Sequence, residues 1–194
     1  MKRLSWSMLL YYWTFIEKVQ AGDVTMQFKD DTANISKTRK ETIIAFDGSS
    51  TLKEWVGNVR AYFTVKGFHK NFFKTAAGFM NELHLSKTKN IMVIGTSRGG
   101  AIAIIVAYLL KIAGYKVRCI TFVQPKVAVR KNAFRKLVES LLEVHRVIAG
   151  RDIVDNMPPI GYHYETFEYK LDTVKGKLDH TAIRKALENK IKGL

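Results

Sequence analysis

The chain has 194 residues, 47% of them hydrophobic and 25% charged, which suits one globular domain and excludes a disordered or low-complexity polypeptide. Lys and Arg total 32 against 17 Asp and Glu, and the resulting +15 charge favours anionic partners without choosing among lipid surfaces, nucleic acid and acidic polymers. The cations are dispersed, with no aromatic-interleaved basic motif and no zinc-finger spacing, so no specific nucleic-acid partner is expected.

In chain order, residues 4–20 read as a helix. The apolar run LSWSMLLYYWTFI is broken by Glu17 and Lys18 and falls short of the ~20 residues that span a bilayer. Residues 1–22 are therefore expected to be an N-terminal helix docked on a single domain, residues 1–194. A signal peptide ending near Val19-Gln20-Ala21 and a membrane-surface helix stay open as other readings.

Strands are predicted at Thr25–Phe28 and Glu41–Phe46, separated by the polar, turn-rich stretch DDTANISKTRK. A short helix follows over Leu52–Val59, then a strand at Ala61–Val65. Phe72, Phe73, Ala76, Phe79, Met80 and Leu83 fall at helical spacing within Phe68–Leu85. Asn90–Ile94 reads as a buried strand and Ala101–Ile112 as a helix apolar on nearly every side. Lys116–Val123 and Val144–Ala149 read as strands flanking an amphipathic helix at Arg130–Leu142. DIVDNMPP is loop, Tyr164–Leu171 alternates as a strand, and His180–Ile191 is a last helix. Strands alternating with helices imply an α/β domain with a mostly parallel central sheet.

Cys119 stands alone, so no internal disulfide can form, and a cytoplasmic or host-cell cytosolic setting is expected over secretion, with peripheral membrane association as an addition.

Residues 91–104 read IMVIGTSRGGAIAI, in which Gly95-Thr96-Ser97-Arg98-Gly99 fits G-x-S-x-G. The pattern alone is weak, but its setting is not: an apolar strand ends at Gly95 and a buried helix begins just past Ser97. A nucleophilic serine needs that turn, with helix N–H groups aimed at a developing oxyanion. The competing reading is an ordinary glycine-rich strand–helix turn. No nucleotide-binding glycine spacing is present.

Ser97 also requires a base and a group to orient that base. Asp152 in AGRDIVDNMPP and His180 in KLDHTAIRKAL follow it, each at the end of an element. Asp155 and His163 compete for these roles. His69, His84 and His145 are expected to be structural.

Six blocks in order resemble the class 3 lipase family of the α/β-hydrolase fold: IIAFDGSSTLKEW, VKGFHKNF, IMVIGTSRGGAIA, ITFVQPKVAVRKNAF, RVIAGRDIVDNMPP and LDH. The resemblance implies Ser97 as nucleophile, Asp152 as acid and His180 as base, with oxyanion donors at Ser49 and Arg98. It implies a serine hydrolase acting on lipid esters, lipase- or phospholipase-like, with no cofactor and no metal. His163 would take a structural place after the acid.

Departures from the family pattern are specific. His usually precedes the nucleophile and Leu follows it, where this chain has Thr96 and Arg98; Asp47 stands where Arg is usual. Three roles are open for Arg98: pairing with Asp47, reaching an anionic headgroup, or solvation. The short VGNVRAYFTVK segment predicts little or no lid. Expected partners are a lipid or other ester, with adsorption to anionic membrane surfaces, and no residue pattern speaks to oligomeric state. The alternative is a catalytically silent hydrolase fold that binds anionic membranes or nucleic acid.

Overall fold

The computed structural model describes residues 2–29, 31–48, 64–65, 67–85, 90–127, 142–149, 166–172 and 180–193, with backbone alone at 64–65 and 180–181. The expected helix at 52–59 and that at Arg130–Leu142, apart from Leu142, lie outside these residues.

The elements run α1 (Trp6–Gln20), β1 (Met26–Phe28), β2 (Asp31–Lys37), β3 (Glu41–Phe46), β4 (Thr64–Val65), β5 (Phe68–His69), α2 (Lys70–Glu82), β6 (Asn90–Thr96), α3 (Ser97–Ile112), β7 (Val117–Phe122), β8 (Glu143–Ala149), β9 (Phe167–Leu171) and α4 (His180–Lys192). The main sheet has the order β1-β2-β3-β6-β7-β8-β9. From β3 onward the pairs are parallel, and the β1–β2–β3 meander at one edge is antiparallel.

Chemistry explains the central strands. Residues 42–46 of β3 and 91–96 of β6 are buried on both faces, as parallel strands covered by helices on both sides must be. Below one face lie α2 and α3, sharing a core with Ile44, Phe46, Val93 and Cys119. Across the sheet, α1 and α4 share a second core with Ile43, Met92, Ile120 and Val147. Trp13, wholly buried there, meets Phe122 edge-on at 4.9 Å. Burying an aromatic of this size stabilises by about 1.5–3 kcal/mol.

The helix α3 begins four residues earlier than its apolar run suggested. Twelve of its residues are buried, which is why it lacks a polar stripe.

A larger difference is β2, which occupies part of the stretch expected to be turns. Asp31, Ala33, Asn34 and Lys37 in its sequence are disfavoured in strands. Tertiary hydrogen bonds replace propensity: buried Asn34 donates from Nδ2 to the Asp23 carbonyl at 3.0 Å, and the Ile35 amide donates to Thr25 Oγ1 at 2.7 Å.

At the far edge, buried His145 links β8 to β9. Its Nδ1 lies 2.9 Å from the Tyr169 hydroxyl, and its Nε2 lies 2.7 Å from Glu143 Oε1. The same hydroxyl accepts from the Leu4 amide at 2.7 Å, which ties the start of the chain to β9. A neutral imidazole with its proton on Nε2 satisfies every partner: Leu4 N–H to Tyr169, Tyr169 O–H to Nδ1, and Nε2–H to Glu143.

Candidate active site

Ser97 sits where β6 passes into α3. Thr96 is extended, with φ −116° and ψ 148°, and Ser97 takes a φ of 49° before the helix proceeds. A non-glycine residue in the left-handed region is uncommon and costs conformational energy, so packing must enforce it.

The flanking glycines supply that packing, and not through unusual dihedrals of their own. A side-chain carbon on Gly95 would run into the carbonyl group of Gly99, and one on Gly99 would run into the carbonyl of Asp47. Three backbone segments thus meet at van der Waals distance behind Ser97. The serine itself is 7% exposed.

The turn after β3 is fixed from both sides. Asp47 Oδ1 accepts from the Gly48 amide at 2.7 Å and from Gln20 Nε2 at 3.0 Å, so the last turn of α1 holds the segment that faces Ser97. On the neighbouring strand, Val123 also has a positive φ, 44°, and its amide still donates to the Val147 carbonyl at 2.8 Å. This bend brings Gln124 against Gly100 in the first turn of α3.

Arg98 is paired with Asp31, a partner the sequence reading did not name. Its Nε donates to Asp31 Oδ1 and its Nη2 to Asp31 Oδ2, both at 2.7 Å. Asp31 opens β2 and is 2% exposed, and Thr75 Oγ1 adds a 3.4 Å hydrogen bond from α2. The guanidinium is held as a two-pronged fork on Asp31, with its side chain 24% exposed. Sequence reasoning missed Asp31 and Thr75 altogether. Their one signal was a cation placed where the family has an apolar residue.

His69, at the start of α2, is 4% exposed and has no hydrogen bond to a described residue through either ring nitrogen. Burial, followed by the positive charge of Arg98, lowers its pKa. It is a neutral core imidazole packed on Phe72, with ring centroids 5.1 Å apart.

His180 is the first residue of α4. Ser49, Asp152, Asp155 and His163 lie outside the described residues, as does most of the segment expected to lack a lid. No cluster of His, Cys, Asp or Glu that could hold a metal occurs among the described residues.

A strained serine at a strand–helix turn, with backbone crowded behind it and an uncapped helix start before it, is the geometry of a nucleophile elbow. The family model described as Lipase (class 3) matches residues 43–162, more than half of the chain and the span from β3 through the elbow. The chain belongs to the class 3 lipase family.

Relatives agree with that placement. A protein of Fusarium solani named secreted mono- and diacylglycerol lipase 1 is 29% identical over 151 residues, covering 69% of this chain and 45% of its own length. The chain thus spans less than half of this curated relative. A crystal structure of a fungal lipase superposes with a TM-score of 0.72 at 17% identity, covering 93% of this chain and 86% of that one. Rhizomucor miehei lipase in its propeptide complex gives 0.65 at 23% identity, covering 87% and 70%. These likenesses place this class 3 lipase family member in the α/β-hydrolase fold.

The cytoplasmic setting expected from the lone cysteine is corrected by the Fusarium relative, which is secreted by name and points to secretion. The physical reason is plain: Cys119 is buried in the sheet, and desolvation pushes its thiol pKa up. A thiol kept protonated and enclosed is inert in either compartment and says nothing about which one the protein occupies. No described helix is long and apolar enough to cross a membrane.

Proposed function

We propose that this class 3 lipase hydrolyses carboxylic esters of lipids, with Ser97 as nucleophile, His180 as general base and Asp152 as the group that orients the base. The observation that carries the reading is the backbone of Ser97, at a φ of 49° between β6 and α3, where Gly95 and Gly99 let neighbouring backbone approach closely. Strain of this kind clusters at active sites, and a nucleophile at a strand–helix turn has a use for it.

In this mechanism His180 takes the Ser97 proton as Oγ attacks the ester carbonyl. The Arg98 amide and that of Ser49 donate to the tetrahedral oxyanion. The alkoxide leaves with the proton from His180, and water activated by the same imidazole releases the acid from the acyl-enzyme. Monoacylglycerols and diacylglycerols are the first substrates to assay, because the Fusarium relative carries them in its name. That name also supports a secreted setting.

Labelling with a fluorophosphonate, read by mass spectrometry, tests the assignment. Stoichiometric label on Ser97, absent from Ser97→Ala and strongly slowed in His180→Ala, is the expected result. An unlabelled, folded wild type would overturn the hydrolase reading.

A further inference from the structure

The start of α3 lacks the usual means of fixing a helix end. Thr96 makes no side-chain capping bond, and no acidic residue stands in the first turn. Such an end is ordinarily steadied by a cap or a carboxylate near its N–H groups. Here the first side chain after the nucleophile is gripped from outside the helix. Arg98 lies in a two-pronged bond to Asp31, and Asp31 is in turn touched by Thr75. The pair joins β2, α2 and α3 at one point, and the bridged residues are 67 positions apart in sequence.

The carboxylate is almost fully enclosed while the guanidinium side chain is 24% exposed. Enclosing a carboxylate is costly unless its oxygens are fully used. Asp31 spends them on Arg98 and Thr75, and nothing about the hairpin it begins requires a charge. The fork geometry fixes the guanidinium plane as well as its distance.

We propose that Asp31 is a positioning residue for ester hydrolysis, acting through Arg98. By clamping the Arg98 side chain it sets the rotation of the first turn of α3, and hence the direction in which the Arg98 amide points at the oxyanion. The inference rests on the hydrolase reading given above. It makes Asp31 matter for the transition state and not for ground-state binding, because the oxyanion forms only as the carbonyl becomes tetrahedral.

The test compares wild type, Asp31→Asn and Arg98→Lys. The readouts are kcat and KM on p-nitrophenyl butyrate, the inhibition constant of phenylboronic acid, whose serine adduct is tetrahedral, and the thermal midpoint. Losing an oxyanion donor outright costs about a hundredfold or more, so misaiming one should lower kcat in Asp31→Asn by roughly tenfold, with KM within about twofold. Boronate affinity should fall by the same factor as kcat.

Arg98→Lys keeps the charge but makes a single contact. It should give a smaller loss in both readouts, and it carries the test if Asp31→Asn does not fold. A folded Asp31→Asn with unchanged kcat and boronate affinity overturns the proposal, even if its thermal midpoint drops. So does a change confined to KM, or an Arg98→Lys variant indistinguishable from wild type. A wild type inert to ester and to fluorophosphonate removes the hydrolase reading and this role together. An active wild type with an indifferent Asp31→Asn removes this role alone.

Discussion

A side-chain carbon placed on Gly48 would lie 2.7 Å from Ser97 Cβ and 3.0 Å from the Thr96 carbonyl oxygen. The turn after β3 and Ser97 therefore share a space that admits no methyl group. Gly48→Ala should displace Ser97 or the turn by a fraction of an ångström. A misplacement of about 1 Å can cost about a hundredfold, so this smaller shift should lower kcat/KM by roughly tenfold. Ester hydrolysis and fluorophosphonate labelling rates, measured beside circular dichroism, would check this; a labelling rate equal to wild type would count against the crowding.

Tyr169→Phe should destabilise the fold through both ends of one hydroxyl. It leaves the Leu4 amide without its acceptor and His145 Nδ1 without its donor. Each buried group left unpaired costs about 1–3 kcal/mol, so a loss of about 2–6 kcal/mol is expected in denaturant titration. Hydrogen exchange at Leu4 should accelerate as well. Unchanged exchange there would show that the Arg3 contacts to Glu168 and to the Tyr169 ring suffice alone.

Acid should unfold this protein from a definite starting point. Burial lowers the pKa of both His69 and His145 from 6.5, and Glu143 opposes the shift at His145. The unfolded chain then binds protons that the folded chain refuses. The contribution of these histidines is fully present above pH 6.5 and is lost as the pH falls below it. His69→Phe removes one of the two groups and breaks no hydrogen bond to a described residue. It should hold or raise the thermal midpoint at neutral pH and flatten its decline on acidification. A slope equal to wild type would contradict the burial argument.

Cys119 should be silent to Ellman's reagent in the native protein and react stoichiometrically once unfolded. Its thiol is fully buried and its pKa is pushed up by desolvation. Rapid native reaction would mean that the sheet opens at β7.

The sequence showed the elements whose burial is written in composition. Glu41–Phe46 is a strand with the predicted ends because every residue after Glu41 faces a core. The run through Ile104 and Leu110 announced a central helix for the same reason. What composition does not carry is order imposed from a distance. The strand β2 looks like loop because its polar side chains find partners only after Thr25 and Asp23 are in place. Asp31 gave no sign of its pairing with Arg98, since that partner lies on another element. At the site, the serine and its glycines were legible as a motif. The reason for the glycines was legible only in three dimensions: they admit neighbouring backbone, while the serine itself takes the left-handed turn.

The two helices that cover the outer face of the sheet, α1 and α4, come from opposite ends of the chain. Ile183, Ala186 and Leu187 share a core with Leu9, Trp13 and Ile16, and Arg184 is bonded to Glu17. At 13 residues α4 is near the length at which an isolated helix is marginal in water, about 12–15 residues. It needs the surface that α1 helps to build, and His180 is its first residue. Under the proposed mechanism the nucleophile is shaped by elements lying between α1 and α4 in sequence, but its base is seated only when α4 settles against α1. A molecule emerging from synthesis would pass through a stage with a formed elbow and no activity, and damage to α1 would return it there.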